Sequence, residues 1–128
     1  MEPPVEGSTE RFERTFTVED VRRFADLSGD AQPRHLEPDE EGRVMVQGLL
    51  TATLPTKIGG DNEVLGRRFE FEFVEPVYTG ERIVCTATYE TVDERADRYD
   101  LSWAIDCENG DGETVLRGTV DGVVWKAE

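Results

Sequence analysis

The sequence predicts an α+β domain in which a curved antiparallel β-sheet wraps around one buried helix. The second half of the chain alternates apolar and polar residues with a period of two, which is typical of strands with one buried face. A central stretch, residues 44–54, is apolar almost all round, so a helix there needs a sheet to cover it. A chain of 128 residues has room for one such domain, which we place at residues 8–128.

The first elements follow from local signals. Residues 1–7 contain two prolines and two glutamates but no basic or apolar run, so we expect a flexible tail and not a signal peptide. Residues 10–16 alternate weakly and fit a first strand or a sheet edge. Thr17 is a typical N-cap for the helix that follows. Gly29 is expected to end that helix as a C-cap, which places Asp30 directly beyond it.

The middle of the chain is predicted as a loop followed by the buried helix. Residues 30–43 are polar and contain two prolines, and we expect a loop there. The helix is predicted to start near Gln47 and to be interrupted near Pro55, because proline lacks the amide that would bond back to Thr51. Two glycines and an aspartate at residues 59–61 predict the exit loop.

Four long antiparallel strands are predicted after the helix. Their alternating apolar positions are Phe69, Phe71 and Phe73, then Ile83, Cys85, Ala87 and Tyr89, then Tyr99, Leu101, Trp103, Ile105 and Cys107. We assign the three phenylalanines first to the core and second to the wall of a pocket. Asn109-Gly110 predicts a tight hairpin before the last strand, at residues 114–125. A single sheet of this kind has edges that a second copy can extend, so a homodimer or a higher homo-oligomer is expected.

The chain is strongly acidic. It has 29 Asp and Glu against 14 Lys and Arg, for a formal net charge of −15. This charge repels phosphate and argues against a nucleic-acid partner, and there is no apolar run long enough for a membrane span. The carboxylates are spread along the whole chain and only Lys57 and Lys126 are lysines, which favours a halophilic source. An ordinary acidic cytosolic domain is the alternative, and loss of the fold in low salt would separate the two.

The cysteine and histidine content also limits the function. Cys85 and Cys107 lie within strand patterns, and we expect buried thiols in a reducing cytoplasm. One histidine with scattered carboxylates argues against a metal site.

The strongest functional feature is Asp30 followed five positions later by the only histidine, His35, in a stretch stiffened by proline. We call these two residues the dyad. A carboxylate and an imidazole held on one short segment can bind a water molecule and move its protons. Taken singly, each residue also fits a structural role, as a loop acid that accepts backbone amides or a loop histidine with satisfied hydrogen bonds.

Residues 28–50 resemble the MaoC-like (R)-specific enoyl-CoA hydratases of the hot-dog fold. The residues that carry the resemblance are Asp30, Pro33, His35 and Gly48, the last at the start of the central helix. The resemblance implies a hot-dog fold and the reversible syn hydration of trans-2-enoyl thioesters. Coenzyme A is then part of the substrate, and no separate cofactor is implied.

The resemblance also implies roles for individual residues. The dyad would orient the water and manage both proton transfers, and the amide of Gly48 would donate to the thioester oxygen. Gln32 and Gln47 stand where the family has asparagine and histidine, and Thr56 falls where the family tends to have a serine in the pocket.

Two other functions stay open. An acyl-thioester hydrolase of the same fold generally has a carboxylate on the central helix, and residues 47–58 contain none. A non-catalytic acyl-binding or partner subunit would fit the glutamine at position 47. The doublets Arg22-Arg23 and Arg67-Arg68 either contact coenzyme A or pair with nearby carboxylates.

Overall fold

The computed structural model describes residues 2–127, so Met1 and Glu128, the ends of the predicted tail and domain, lie outside it. In chain order the elements are β1 (Thr9–Thr15), α1 (Val18–Ser28), α2 (Pro33–Leu36), α3 (Gly48–Thr51), α4 (Thr53–Asp61), β2 (Leu65–Phe73), β3 (Arg82–Glu94), β4 (Arg98–Glu108) and β5 (Thr114–Trp125). The strands form one antiparallel sheet in the order β1-β3-β4-β5-β2, so β1 and β2 are its edges. Helix α4 packs against β1, β2 and β3, which confirms the predicted α+β fold with a wrapped helix.

Helix α1 begins and ends where the sequence predicts. Thr17 accepts a hydrogen bond from the amide of Asp20, whose carboxylate accepts the amide of Thr17 in return, forming a capping box. Gly29 ends the helix with a left-handed φ of 80°, a conformation that glycine adopts without a Cβ penalty. Asp30 therefore follows the helix directly.

The prediction of a continuous loop at residues 30–43 is wrong, because α2 lies within it. Pro33 occupies the first turn of α2, where its missing amide has no partner to lose and its restricted φ suits a helix. The sequence signal for a loop, two prolines among polar residues, thus also marks the start of the short helix that carries His35.

The central helix starts at Gly48 with Gln47 as its N-cap, and its predicted interruption is confirmed. It is divided at Ala52 into α3 and α4, and Pro55 lies in the first turn of α4. The predicted exit loop at residues 59–61 is wrong, because α4 continues to Asp61. Gly59 packs close to the sheet, where a Cβ would lie 3.9 Å from the indole ring of Trp103.

The core lies between α3–α4 and the inner face of the sheet. Alternate residues of β3 and β4 are buried as predicted, except Tyr99, which is partly buried, and Tyr89 packs edge-on against Trp103 with ring centroids 5.5 Å apart. The prediction that the phenylalanines of β2 belong first to the core is wrong for two of them, since Phe69 and Phe73 are 57% and 49% exposed. They belong to β2, which lies at the edge of the sheet. Phe71 is partly buried against the core.

Two further local predictions have different outcomes. The connection from β4 to β5 is not a two-residue hairpin but a five-residue loop, in which the side chain of Asn109 accepts the amides of Asp111 and Glu113. Cys85 and Cys107 face one another in register as free, fully buried thiols, as predicted. Hydrogen bonding with the Cys85 thiol, together with burial, raises the pKa of Cys107.

Within the described residues, no helix is both long and apolar enough to cross a membrane.

Candidate active site

The two dyad side chains converge. Nε2 of His35 lies 3.6 Å from Oδ2 of Asp30, with the His35 side chain 6% exposed and that of Asp30 39% exposed. On the other side of the ring, Nδ1 of His35 donates to the carbonyl of Met45 at 2.6 Å. Because a carbonyl only accepts, Nδ1 carries a proton, and in the neutral form of the ring Nε2 presents its lone pair to Asp30.

This arrangement leaves two hydrogen-bond acceptors facing each other. Their separation of 3.6 Å is too long for a direct hydrogen bond, and two acceptors without a donor between them repel. One water molecule that donates an O–H to each atom satisfies both. The oxygen of such a water gains electron density from both sides, so the dyad is suited to activating water as a nucleophile.

Asp30 is held by its neighbours on both its side chain and its backbone. Oδ1 accepts from Nε2 of the Gln32 side chain at 2.9 Å, which leaves Oδ2 for His35. Its own amide donates to Oγ of Ser28 at 3.0 Å. Its carbonyl accepts from Nε2 of Gln47 at 3.4 Å. The structure therefore places both predicted glutamines against Asp30.

His35 lies on α2 and is held against the segment that precedes the central helix. The amide of Met45 donates to the carbonyl of Arg34 at 3.0 Å, and Met45 also forms an isolated antiparallel β-bridge with Tyr78. The carbonyl of Met45 orients the imidazole ring. Sequence reasoning missed Met45, since every residue has a carbonyl and the side chain gives no signal.

Gly48 lies beside an apolar cleft of about 240 Å³, which Met45, Phe73, Val77 and Val115 also line. As the first residue of α3, Gly48 has an amide with no carbonyl partner inside the helix. A Cβ at this position would lie 3.0 Å from the Phe73 ring, so only glycine fits with the ring in place. The side chains of the dyad do not line this cleft, which meets the dyad through Met45.

Thr56 is not brought together with the other predicted site residues. It is exposed on α4, where its hydroxyl donates to the carbonyl of Ala52 at 2.9 Å. It does not line the cleft beside Gly48.

By sequence, no protein-family model matches the chain, and no curated protein matches it either. Solved structures do match. The (R)-hydratase from A. caviae involved in PHA biosynthesis has a TM-score of 0.83 and 21% identity, over 95% of this chain and 98% of that one. A MaoC-like dehydratase from Rhodospirillum rubrum has a TM-score of 0.80 and 21% identity, over 98% and 95%. The chain has the hot-dog fold.

These structural neighbours are (R)-hydratases and MaoC-like dehydratases, as the sequence resemblance implies. The fold also occurs in the fluoroacetyl-CoA thioesterase FlK, with a TM-score of 0.67 and 15% identity over 96% of this chain and 90% of that one. The hot-dog fold alone therefore does not decide the reaction, which has to be argued from the site.

Proposed function

We propose that this chain is a hydratase that adds water reversibly, with syn geometry, to trans-2-enoyl thioesters and yields (R)-3-hydroxyacyl thioesters. The observation that supports it most strongly is the pair of acceptors, Nε2 of His35 and Oδ2 of Asp30, 3.6 Å apart around a position for one water. The proton on Nδ1 of His35, held by Met45, leaves Nε2 free to accept a proton from that water.

The reaction needs one water, two proton transfers and one stabilised oxygen. The water oxygen bonds to C3, the π electrons of the enoyl group move towards the thioester carbonyl, and one proton of the water passes to the dyad. The dyad then delivers a proton to C2, so that the sum is the addition of one water. Because the water oxygen at C3 and the proton at C2 both arrive from the side of the substrate that faces the dyad, the addition is syn. Positioned proton transfer of this kind contributes about 10² to 10⁴ in rate.

The thioester oxygen gains negative charge as the water attacks. In the proposal the amide of Gly48 donates to it, a contribution of about 3 kcal/mol for a preorganised donor. The acyl chain extends into the apolar cleft beside Phe73. The carrier is coenzyme A, which belongs to the substrate, and the reaction as proposed uses no separate cofactor.

A homodimer completes the proposal. Phe69 and Phe73 are about half exposed on β2, an edge strand of a strongly acidic chain. Leu49, next to Gly48, is also 65% exposed. A second copy that covers these side chains would bury apolar area and roof the open cleft. Size-exclusion chromatography with light scattering tests this, and a monomer at micromolar concentration contradicts it.

Thioester hydrolysis is the second candidate because FlK shares the fold. The central helix carries no carboxylate between Gly48 and Ile58, and the first acid on it, Asp61, is exposed and bonded to Lys57. This distribution favours hydration. Release of free thiol from crotonyl-CoA in place of loss of the enoyl absorbance would reverse the choice.

The test is hydration of crotonyl-CoA by the wild type and by Asp30→Asn and His35→Ala, at low and at high salt. We expect each variant to lose at least about a hundredfold in kcat/KM, and the double variant to lose little more than either. Asp26→Asn, an exposed acid on α1, is the matched control and should keep full activity. Unchanged activity in either dyad variant refutes its role, and a folded wild type that binds coenzyme A without turnover indicates a binding subunit.

A further inference from the structure

A second concave surface lies on the other side of α3 from the cleft beside Phe73. It is a groove of about 380 Å³ between β1 and α1. Most of the side chains that line it are apolar, and two are arginines. The apolar ones are Phe16, Phe24, Leu27 and Leu50, and the arginines are Arg14 and Arg23. The Phe73 cleft opens towards β2 and this groove towards β1, so the two flank α3.

The two arginines of the groove have no carboxylate partner within 4.0 Å among the described residues. The guanidinium of Arg14 packs over the Phe12 ring at 5.1 Å, which leaves its donors free for another acceptor. The one acid in the groove, Asp20, is engaged in the N-cap of α1, where it accepts the amide of Thr17. The groove therefore has an excess of positive charge in a chain whose net charge is −15.

The other arginine doublet considered from the sequence lies in a different electrostatic setting. Arg67 and Arg68 line a cleft near the bulge of β2 together with Asp93, Asp100 and Asp121. Asp100 is paired with Arg95 and Arg98, and the other two carboxylates balance the two guanidinium groups, so that cleft has no excess of positive charge to favour an anion. Of the two settings, the groove with Arg14 and Arg23 is the one that suits phosphate.

The groove also has a suitable position relative to the dyad. Arg23 lies on α1, and Asp30 follows the end of that helix seven residues later. The two residues are therefore about 10 Å apart along the helix axis. Leu50, which lines the groove, is two residues from Gly48. The pantetheine arm between a thioester sulfur and its first phosphate is comparable to about four extended residues, or roughly 13 Å. This arm is longer than the roughly 10 Å along α1 between Asp30 and Arg23, so a thioester held beside the dyad has an arm long enough to bring its phosphate to Arg23.

We propose that this groove binds the carrier arm of the substrate, with Arg14 and Arg23 contacting the phosphate of a phosphorylated pantetheine group. The inference rests on the proposed hydratase function and adds a direction: the carrier runs towards β1 and the acyl chain towards β2. Coenzyme A and a protein-borne phosphopantetheine share this chemistry. A protein carrier would have to dock against a surface of net charge −15, so only a carrier with a basic face would gain from it.

The kinetic test compares crotonyl-CoA with crotonyl-pantetheine, which lacks phosphate. Both arginines are exposed, so Arg14→Ala/Arg23→Ala should fold normally. We expect this double variant to raise KM for crotonyl-CoA about tenfold or more, equivalent to about 1.4 kcal/mol, with less than a twofold change for crotonyl-pantetheine. Arg67→Ala/Arg68→Ala is the matched control and should leave both KM values as they are. An equal change with both substrates, no change with either, or the same change in the control overturns the proposal.

Two further arms distinguish the carrier and separate this inference from the hydratase proposal. A crotonyl group on a phosphopantetheinylated carrier protein is the third substrate, and a lower KM that the double variant raises assigns the groove to the protein-borne arm. Calorimetric titration with coenzyme A does not need turnover. Loss of that binding in the double variant supports the groove even if the wild type hydrates nothing, whereas normal turnover and unchanged binding refute the groove alone.

Discussion

Gln47 joins the central helix to the dyad segment, and its replacement tests that connection. Its amide nitrogen donates to the carbonyls of Val21 and Asp30 at 3.1 and 3.4 Å, and the residue is 1% exposed. Its amide oxygen is buried and has no hydrogen-bond partner among the described residues. We expect Gln47→Glu to destabilise the fold far more than Gln47→Met, although glutamate is closer to glutamine in shape.

The magnitudes follow from what each variant leaves unpaired. Methionine removes the donor to two carbonyls and also removes the orphaned oxygen, a net cost of about 1–2 kcal/mol. A carboxylate removes the same donor and adds a buried charge that faces carbonyl oxygens, which costs about 3–5 kcal/mol. The difference is about 2–3 kcal/mol in the free energy of unfolding. At a slope of about 1.5 kcal/mol per M, the urea midpoints of the two variants separate by roughly 1.5 M.

The gap between the two variants also depends on pH, with a definite sign. Burial beside carbonyl oxygens raises the folded-state pKa of the introduced carboxyl above its unfolded value of about 4.3. The penalty is therefore absent below the unfolded pKa and grows as the pH rises through the window up to the folded pKa. Urea unfolding followed by circular dichroism at neutral and at acid pH measures both. Equal midpoints at neutral pH would show that the side chain at position 47 is not buried against the two carbonyls and would refute the connection.

Three other variants or treatments test separate features of the molecule. In Gly48→Ala the new Cβ lies 3.0 Å from the half-exposed Phe73 ring, and alanine's higher helix propensity offsets the contact. We expect a free energy of unfolding within about 1 kcal/mol of wild type by thermal melting, but reduced crotonyl-CoA hydration as the ring moves; full activity would contradict this. Burial and the neighbouring Cys85 thiol raise the pKa of Cys107, so a disulfide reagent should label neither thiol in the folded protein at neutral pH and both in urea, whereas labelling without denaturant would argue against a closed core. The hydrogen bond from Arg98 lowers the pKa of Asp100 below its ordinary 3.8, so its stabilising effect is complete above that value and is lost as the pH falls through the lower folded pKa. The melting temperature of Asp100→Asn should therefore lie below that of wild type at neutral pH and converge with it in acid; a constant gap would be inconsistent with the ion pair.

Period-two alternation predicted the strands best where both neighbours of a strand are present. The last strand was expected at residues 114–125, and β5 spans Thr114–Trp125, with β4 and β2 paired on its two sides and several of its side chains in the core. The alternation of β2 is equally strong in sequence, yet Phe69 and Phe73 are half exposed. Whether a strand lies at an edge depends on which strands pair, and no local pattern contains that information.

Glycine and proline signals failed where packing outweighed local preference. Two glycines near the end of α4 suggested a loop, but α4 continues through Gly59, which is buried against the sheet beside Trp103. For the site, residue type and spacing were enough to indicate Asp30 and His35. The carbonyl of Met45, which sets the tautomer of the imidazole, depends on a tertiary contact and has no signature in the sequence.

The five-residue spacing of the dyad works only because the helix stops between its members. In a continuous helix, residues five apart are separated by about 140° around the axis and about 7.5 Å along it, so their side chains point away from each other. Here Gly29 ends α1 with a left-handed φ of 80°, and Pro33 starts α2 on a new axis. These two breaks bring the carboxylate and the imidazole to 3.6 Å. Gly29 and Pro33 touch no reacting atom, yet the chemistry proposed for the dyad depends on the direction that they give the chain.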